Sequence, residues 1–243
     1  MDNIYGSADE LSWSELIKYT IIEMLGITFL IGLKKIGVIS EIGIMVEDIV
    51  SVALVMILVQ LINPKLSTYI IKEIKFRSES VKTVTIPILI AIATRVVIYV
   101  MQIAPTLWGG EAIAIAKGQV DMSTYRPIDR VLSGTIIGPG VEEFIFRAVF
   151  FTHILFFIGF LDSKMYTKLS CKVYDFRSIF CWMVIIINNI LFALIHEPDI
   201  TNFHLYFLTG VVNAIIYIKY GFYSSWISHG FFNYTSAFIN WFF

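Results

Sequence analysis

Charge is scarce in this chain of 243 residues. Asp, Glu, Lys and Arg make up 15% of it, against 57% hydrophobic residues. Soluble domains carry about 25% charged residues. The shortage excludes an ordinary soluble body and indicates an integral, multi-pass membrane protein. Strict apolar–polar alternation is also missing. The apolar runs are too long and continuous for the period-two strands of a membrane barrel. The expected fold is therefore an all-α transmembrane helix bundle of about seven or eight spans. Cysteine is nearly absent: Cys171 lies in a polar loop and Cys181 starts an apolar run. A disulfide framework is not expected, and no C-x-x-C spacing exists. There is no basic excess. The net charge is −1, so nucleic acid is not an expected partner. No basic leader is present either. The chain opens with Asp2, Asp9, Glu10 and Glu15, and its first apolar run contains Lys18 and Glu23, which argues against a cleavable signal.

What is abundant is spanning material. A bilayer-crossing helix needs about 20 largely apolar residues. The chain offers such runs near 16–38, 46–63, 83–103, 132–160, 180–196, 204–219 and 223–243. Residues 1–243 read as a single membrane domain, with the chemistry-bearing polar clusters confined to 132–243. The stretch 109–118 is too short to span and reads as an interfacial or re-entrant helix. The intervening loops at 64–82 and 161–179, with Lys219, hold ten basic residues, against five on the opposite side. The positive-inside bias then puts the N-terminus in the cytoplasm. The aromatic run Phe238–Phe243 with Trp241 reads as an interfacial anchor.

Three polar clusters interrupt the apolar runs. The first is Glu142 and Glu143, with Arg147 four residues after the second. A carboxylate within hydrocarbon costs roughly 2.5–3.5 kcal/mol even on the mildest scale, so such groups default to function. Gly138-Pro139-Gly140 just upstream is expected to kink or restart the helix, placing the acids in a helical first turn. Glu143 and Arg147 share a face and can pair. Glu142 points about 100° away and is left to handle a proton. The second cluster runs from Asn188 and Asn189 through Phe192 to His196, with Asn189, Phe192 and His196 on one face. Pro198 disfavours helix at Glu197 and puts His196 in the last turn. The third is His229 and Asn233, four apart, with Gly230 between them allowing close approach. An Asn233 amide can donate to a developing oxyanion. H-E-x-x-H spacing is absent, because the residue four after His196 is Ile200. No serine or cysteine in these clusters has a paired base, which disfavours nucleophilic catalysis.

The succession Glu-Glu-x-x-x-Arg, Phe-x-x-x-His and His-x-x-x-Asn on successive membrane segments resembles the CPBP family, the CAAX proteases and bacteriocin-processing enzymes also called the Abi family. Pro139 and Phe146 extend the likeness. Ala148, where glycine is common, departs from it. The resemblance covers roughly 139–233, and the first ~130 residues match nothing beyond being hydrophobic. It implies an intramembrane endopeptidase of the glutamate or metallo type. Glu142 and His196 would activate the attacking water, His229 and Asn233 would stabilise the oxyanion, and Glu143 and Arg147 would organise the site. Family members have been described both with and without metal. If a metal were required, Glu142, His196 and His229 would hold Zn²⁺. The expectation is no cofactor, because Asn233 and Arg147 already offer electrophilic groups.

The expected partners are membrane lipid and a peptide or lipidated protein substrate. Prenylated CAAX proteins, pheromones and bacteriocin leaders all fit. High Ile, Lys and Asn usage hints at an AT-rich bacterial source, and hence at the plasma membrane. Two other readings compete: a bacteriocin self-immunity or regulatory protein of the same family, and a proton-coupled transporter whose buried acids and histidines relay protons. His153 reads as structural and His204 as interfacial. Glu23 and Arg95, both in early spans, are a conceivable pair.

Overall fold

The computed structural model describes residues 44–62, 64–114, 126–165, 169 and 172–242, with isolated positions at 14, 17, 18 and 21. Apart from those positions, the expected span 16–38 lies outside the described residues, as does Cys171. The expected spans further along fall on helices: α1 Ile44–Ile62, α3 Lys82–Ile103, α4 over 127–165, α5 Ile179–Leu194, α6 Phe203–Tyr220 and α7 Phe222–Phe242. Among the described residues there is no strand, only an isolated bridge between Phe76 and Gly221.

One segment read as loop is helical. Pro64–Glu73 forms α2, started by a proline whose missing N–H costs nothing at the first helical position. Its Leu66 and Ile70, four apart, are fully buried. Conversely, the described part of 109–118 is not helical. A 3-10 turn, Ala104–Trp108, extends α3. The chain then reverses at Gly109 and folds back, so that Ile113 N donates to Gln102 O at 2.9 Å.

The helices expose apolar side chains outward, and their buried faces mix apolar residues with polar ones. On α5, Trp182, Met183, Ile186, Ile187, Ile190 and Leu191 are exposed, whereas Asn188 and Asn189 are fully buried. A soluble helix shows the reverse. This pattern suits lipid, where apolar faces need no cover and buried polar groups hold helices together. Two helical stretches are long and apolar enough to cross a bilayer: Lys82–Trp108, of 27 residues, and Pro127–Asp162, of 36. The other described helices fall short of that measure, α5 with only 16 residues.

Helix α4 is the rod on which the site is built. It does not restart at Gly138-Pro139-Gly140, and the two glutamates are not in a first turn. It instead runs through as Pro127–Leu132, a π turn Ser133–Ile137, Gly138–Glu143, a second π turn Phe144–Val149, and Phe150–Met165. The physical reason is the proline. Pro139 has no N–H for Thr135 O and would clash with it in a regular α-helix. Widening the turn, with Gly138 N bonded five residues back to Ser133 O, removes the clash without breaking the rod. It also frees carbonyls, and a carbonyl without a partner inside a bilayer is costly. Helix α7 meets these carbonyls. Trp226 Nε1 donates to Ile136 O at 2.7 Å and Asn233 Nδ2 donates to Gly134 O at 2.9 Å. Gly230, between them, lies so close to Thr135 O that an added Cβ would sit 2.3 Å from it. The three residues share one α7 face. Helix α7 also packs along α3 and α6, and α6 lies against α5, which closes the bundle around the polar interior.

Gly230→Ala should therefore destabilise the protein by about 1–3 kcal/mol through overpacking, lowering thermal unfolding in detergent by roughly 3–10 °C. Gly159→Ala on α4, whose Cβ would meet nothing within 4 Å, is the control and should unfold no earlier than wild type. Equal unfolding temperatures for the Gly230 variant and wild type would contradict the close contact.

Candidate active site

The site grows from one carboxylate shut away from solvent. Glu143 and Arg147 both have side chains at 0% exposure, and Arg147 Nε donates to Glu143 Oε2 at 3.1 Å. Isolated charges there would be prohibitively costly, so every remaining valence must be filled. Arg147 Nη1 donates to Asn188 Oδ1. Its Nη2 donates to Asn189 Oδ1 at 3.1 Å and to Gly210 O at 3.0 Å. Asn188 in turn donates from Nδ2 to Phe146 O at 2.9 Å, inside the second π turn. Ser225 Oγ lies against Glu143 Oε2 and within 2.9 Å of Asn213 O. Gly210 is needed for fit, because a Cβ there would sit 2.5 Å from Asn189 Oδ1 and 2.8 Å from the Phe192 ring. One ion pair thus ties α4, α5, α6 and α7 together.

The other oxygen of Glu143 sets a histidine. His229 Nδ1 lies 3.0 Å from Glu143 Oε1. Because the Arg147-bound carboxylate accepts, Nδ1 carries the proton and Nε2 faces the opposite way. His196 is fixed in the same sense: Nδ1 is 2.9 Å from Phe192 O, and a carbonyl can only accept. Its ring stacks on Tyr206, with centroids 4.8 Å apart, and lies 4.9 Å from Phe192. Phe192 also packs against His229 and under the Arg147 guanidinium. Helix α5 ends at Leu194, so His196 lies in the turn just beyond the helix and not in its last turn, and Glu197 follows at φ 50° before Pro198.

Both Nε2 atoms converge on Glu142. Its Oε2 lies 3.7 Å from His196 Nε2 and 3.7 Å from His229 Nε2. Among the described residues this buried oxygen has no hydrogen-bond partner. Glu142 Oε2 and His196 Nε2 accept towards a common point that His229 Nε2 also faces, and a water molecule placed there can donate to both. Glu142 is 28% exposed and His196 16%, whereas His229 is 5%, so the point is reached from the Glu142 side. Asn233 stands one turn beyond His229, with one amide N–H on Gly134 O and a second to spare. Arg147 is not an available electrophile, because its guanidinium is consumed by the network.

Two imidazoles and a carboxylate are donor types that zinc accepts. The 3.7 Å separations exceed the roughly 3.3 Å between ligands of a tetrahedral ion with 2.0–2.1 Å bonds. Among the described residues no three His, Cys, Asp or Glu side chains close on one point as ligands would.

Sequence patterns left out Ser225 and Tyr206. Ser225 carried a signal, since it precedes His229 and Asn233 at four-residue steps on one face of α7. Tyr206 carried none, because its stacking depends on how α6 meets α5. Arg95 does not sit by a described acid. It bonds Phe232 O through Nε and Nη2 at 3.3 and 3.1 Å, and Glu23 lies outside the described residues.

The model of the Rce1-like family, described as type II CAAX prenyl endopeptidase Rce1-like, matches residues 126–235. The match takes in Glu142, Glu143, Arg147, His196, His229 and Asn233. No curated protein and no solved structure gives a significant match.

Removing the guanidinium leaves Glu143 as a buried charge balanced only by His229 and Ser225. Arg147→Ala should cost about 3–5 kcal/mol, read as a large fall in unfolding temperature or loss of folded protein on purification. Arg147→Lys should recover only part, since an ammonium cannot reach Glu143, both asparagines and Gly210 O at once. An Arg147→Ala protein as stable as wild type would show that the pair does not organise the bundle.

Proposed function

We propose, from the match of residues 126–235 to the Rce1-like family of type II CAAX prenyl endopeptidases, that the chain hydrolyses a peptide bond of a membrane-bound or lipidated substrate with a water activated by Glu142. The observation that carries this is the partnerless, buried Oε2 of Glu142 facing two Nε2 atoms at 3.7 Å. A water held there gives a proton to Glu142 as its oxygen attacks the scissile carbonyl, and His196 accepts the water's second hydrogen bond and fixes its direction. The tetrahedral oxyanion forms towards α7. There the spare Asn233 N–H and a His229 protonated on both nitrogens donate to it. Glu143, 3.0 Å behind the imidazole, balances that positive charge as a triad aspartate balances its histidine. Glu142 then returns its proton to the leaving amine. No covalent intermediate forms, and the reaction runs on the chain's own groups, without a metal.

The reading places at least α3 to α7 within the membrane as a multi-pass bundle, in the plasma membrane if the source is bacterial. It also gives the lipid portion of the substrate a place. A groove of about 610 Å³ runs beside the site, lined by Thr135, Ile136, Trp226, Ile227, Phe231 and Tyr234 among others. Its volume falls within the range of small-ligand pockets, roughly 300–1,000 Å³.

Glu142→Gln is nearly isosteric and should fold like wild type while lowering kcat at least ~10³-fold, because it removes the base outright. Wild-type turnover by the purified variant would end the proposal. Exhaustive treatment of wild-type protein with a chelator should leave turnover unchanged. Activity lost to chelation and restored by stoichiometric Zn²⁺ would move the chemistry onto a metal.

A further inference from the structure

The two ends of the bundle differ in charge, and the hydrolytic centre opens towards only one of them. At the first end the loop joining α2 to α3, the residues before α5 and the corner between α6 and α7 come together. Arg77 Nε donates to Tyr217 O at 3.3 Å, its guanidinium lies 4.7 Å over the Tyr174 ring, and Phe222 N donates to Lys75 O at 2.9 Å. The sequence of this end, 64–82 and 161–179 with Lys219, holds ten Lys and Arg residues. At the second end the chain returning from α3 meets the turn between α5 and α6, where Asn202 Nδ2 donates to Ala114 O at 3.2 Å. The connecting segments there, 104–131 and 195–202, hold three: Lys117, Arg126 and Arg130.

The site belongs to the second end. His196 stands in the turn beyond α5, and Tyr206, stacked on its ring, is in the first turn of α6. The 16 residues of α5 separate that turn from the basic end by about 24 Å at 1.5 Å per residue. The approach from the basic end is shut, because Glu143, Arg147, Phe151, Asn188 and Tyr217 are all fully buried. Along α4, Glu142 marks the boundary. Beyond it towards Met165 the helix is mostly buried, whereas towards Pro127 it is mostly half-buried or exposed, as at Ile136, Val131 and Ile128. Short connections rich in Lys and Arg stay in the cytoplasm when a membrane protein inserts, since carrying each cation outward works against the membrane potential. We propose that the site opens on the non-cytoplasmic face, and that its substrate is a membrane-anchored peptide presented there after export, not the tail of a cytoplasmic protein. This deepens the endopeptidase reading by naming where the substrate comes from, and it rests on that reading for the cleavage alone.

Orientation is measured without turnover, on the full chain in the membrane of bacterial spheroplasts. Cys171→Ser removes one native thiol, and Cys181 is buried. Into this background go single thiols at opposite ends: Ile200→Cys, at a side chain 94% exposed beside the site, and Ser80→Cys, at an exposed position of the basic end. A charged maleimide that cannot cross the membrane should label Ile200→Cys in intact spheroplasts and Ser80→Cys only after permeabilisation. The reverse pattern, or equal labelling of both before permeabilisation, would overturn the proposal. If Ile200→Cys resists the reagent even in permeabilised membranes, Trp108→Cys, at an exposed position of the same end, takes its place under the same criteria. The substrate's side is then read with an acylated, internally quenched peptide too charged to cross the bilayer, added to right-side-out and to inverted vesicles. Cleavage confined to right-side-out vesicles, and absent with Glu142→Gln, supports the proposal; cleavage confined to inverted ones rejects it. Cleavage in neither counts against the endopeptidase reading, while the labelling still decides the orientation.

Discussion

Glu143 and Arg147 are both closed off from solvent, in a bundle whose outer faces are apolar. Such a pair persists only if the remaining lone pairs and N–H groups are satisfied. That requirement recruits Asn188 and Asn189 from α5, the Gly210 carbonyl from α6 and Ser225 from α7. It also leaves a single carboxylate oxygen for His229 Nδ1. The proton on that nitrogen fixes which face of the imidazole is free. A structural ion pair thereby determines where Nε2 of His229 points. Glu142, one residue earlier, is turned out of the network by helical geometry alone. It meets the imidazoles as an unsatisfied acceptor, which is the state a general base needs.

The second constraint is Pro139. Placed in the interior of a rod, it forces a widened turn whose carbonyls need partners. Helix α7 supplies Trp226, Gly230 and Asn233 at helical spacing. Those contacts fix the register of α7 against α4, and the same register carries His229 to Glu142. Asn233 therefore locks the helices with one N–H, and the proposed reaction uses the other. Both π turns flank the two glutamates, consistent with the tendency of such widened turns to occur at functional sites.

Much of this was legible in the sequence, for physical reasons. Long apolar runs mark helices in lipid, so six of the expected spans fall on α1 and α3 to α7. Four-residue spacings reveal which groups share a face, as with Glu143 and Arg147, Phe192 and His196, or His229 and Asn233. Spacing cannot reveal which faces of different helices meet. The stacking of Tyr206 on His196 and the contact of Arg95 with Phe232 depend on such meetings. Gly-Pro-Gly signalled an irregular helix but not its resolution as a widened turn instead of a restart. Likewise, the basic residues of 64–82 masked the buried stripe of Leu66 and Ile70 that makes α2 a helix.

The central claim is that Glu142, His196 and His229 act together on a single water, held in register by the buried charge pair. Double-mutant kinetics test it most directly, since groups that act as a unit are strongly non-additive. In a Glu142→Ala background, further replacement of His196 or His229 by alanine should lower the residual rate by less than about threefold, although each histidine change alone lowers it by orders of magnitude. Losses that multiply across the double variants would show that the three side chains work independently, and would contradict the account.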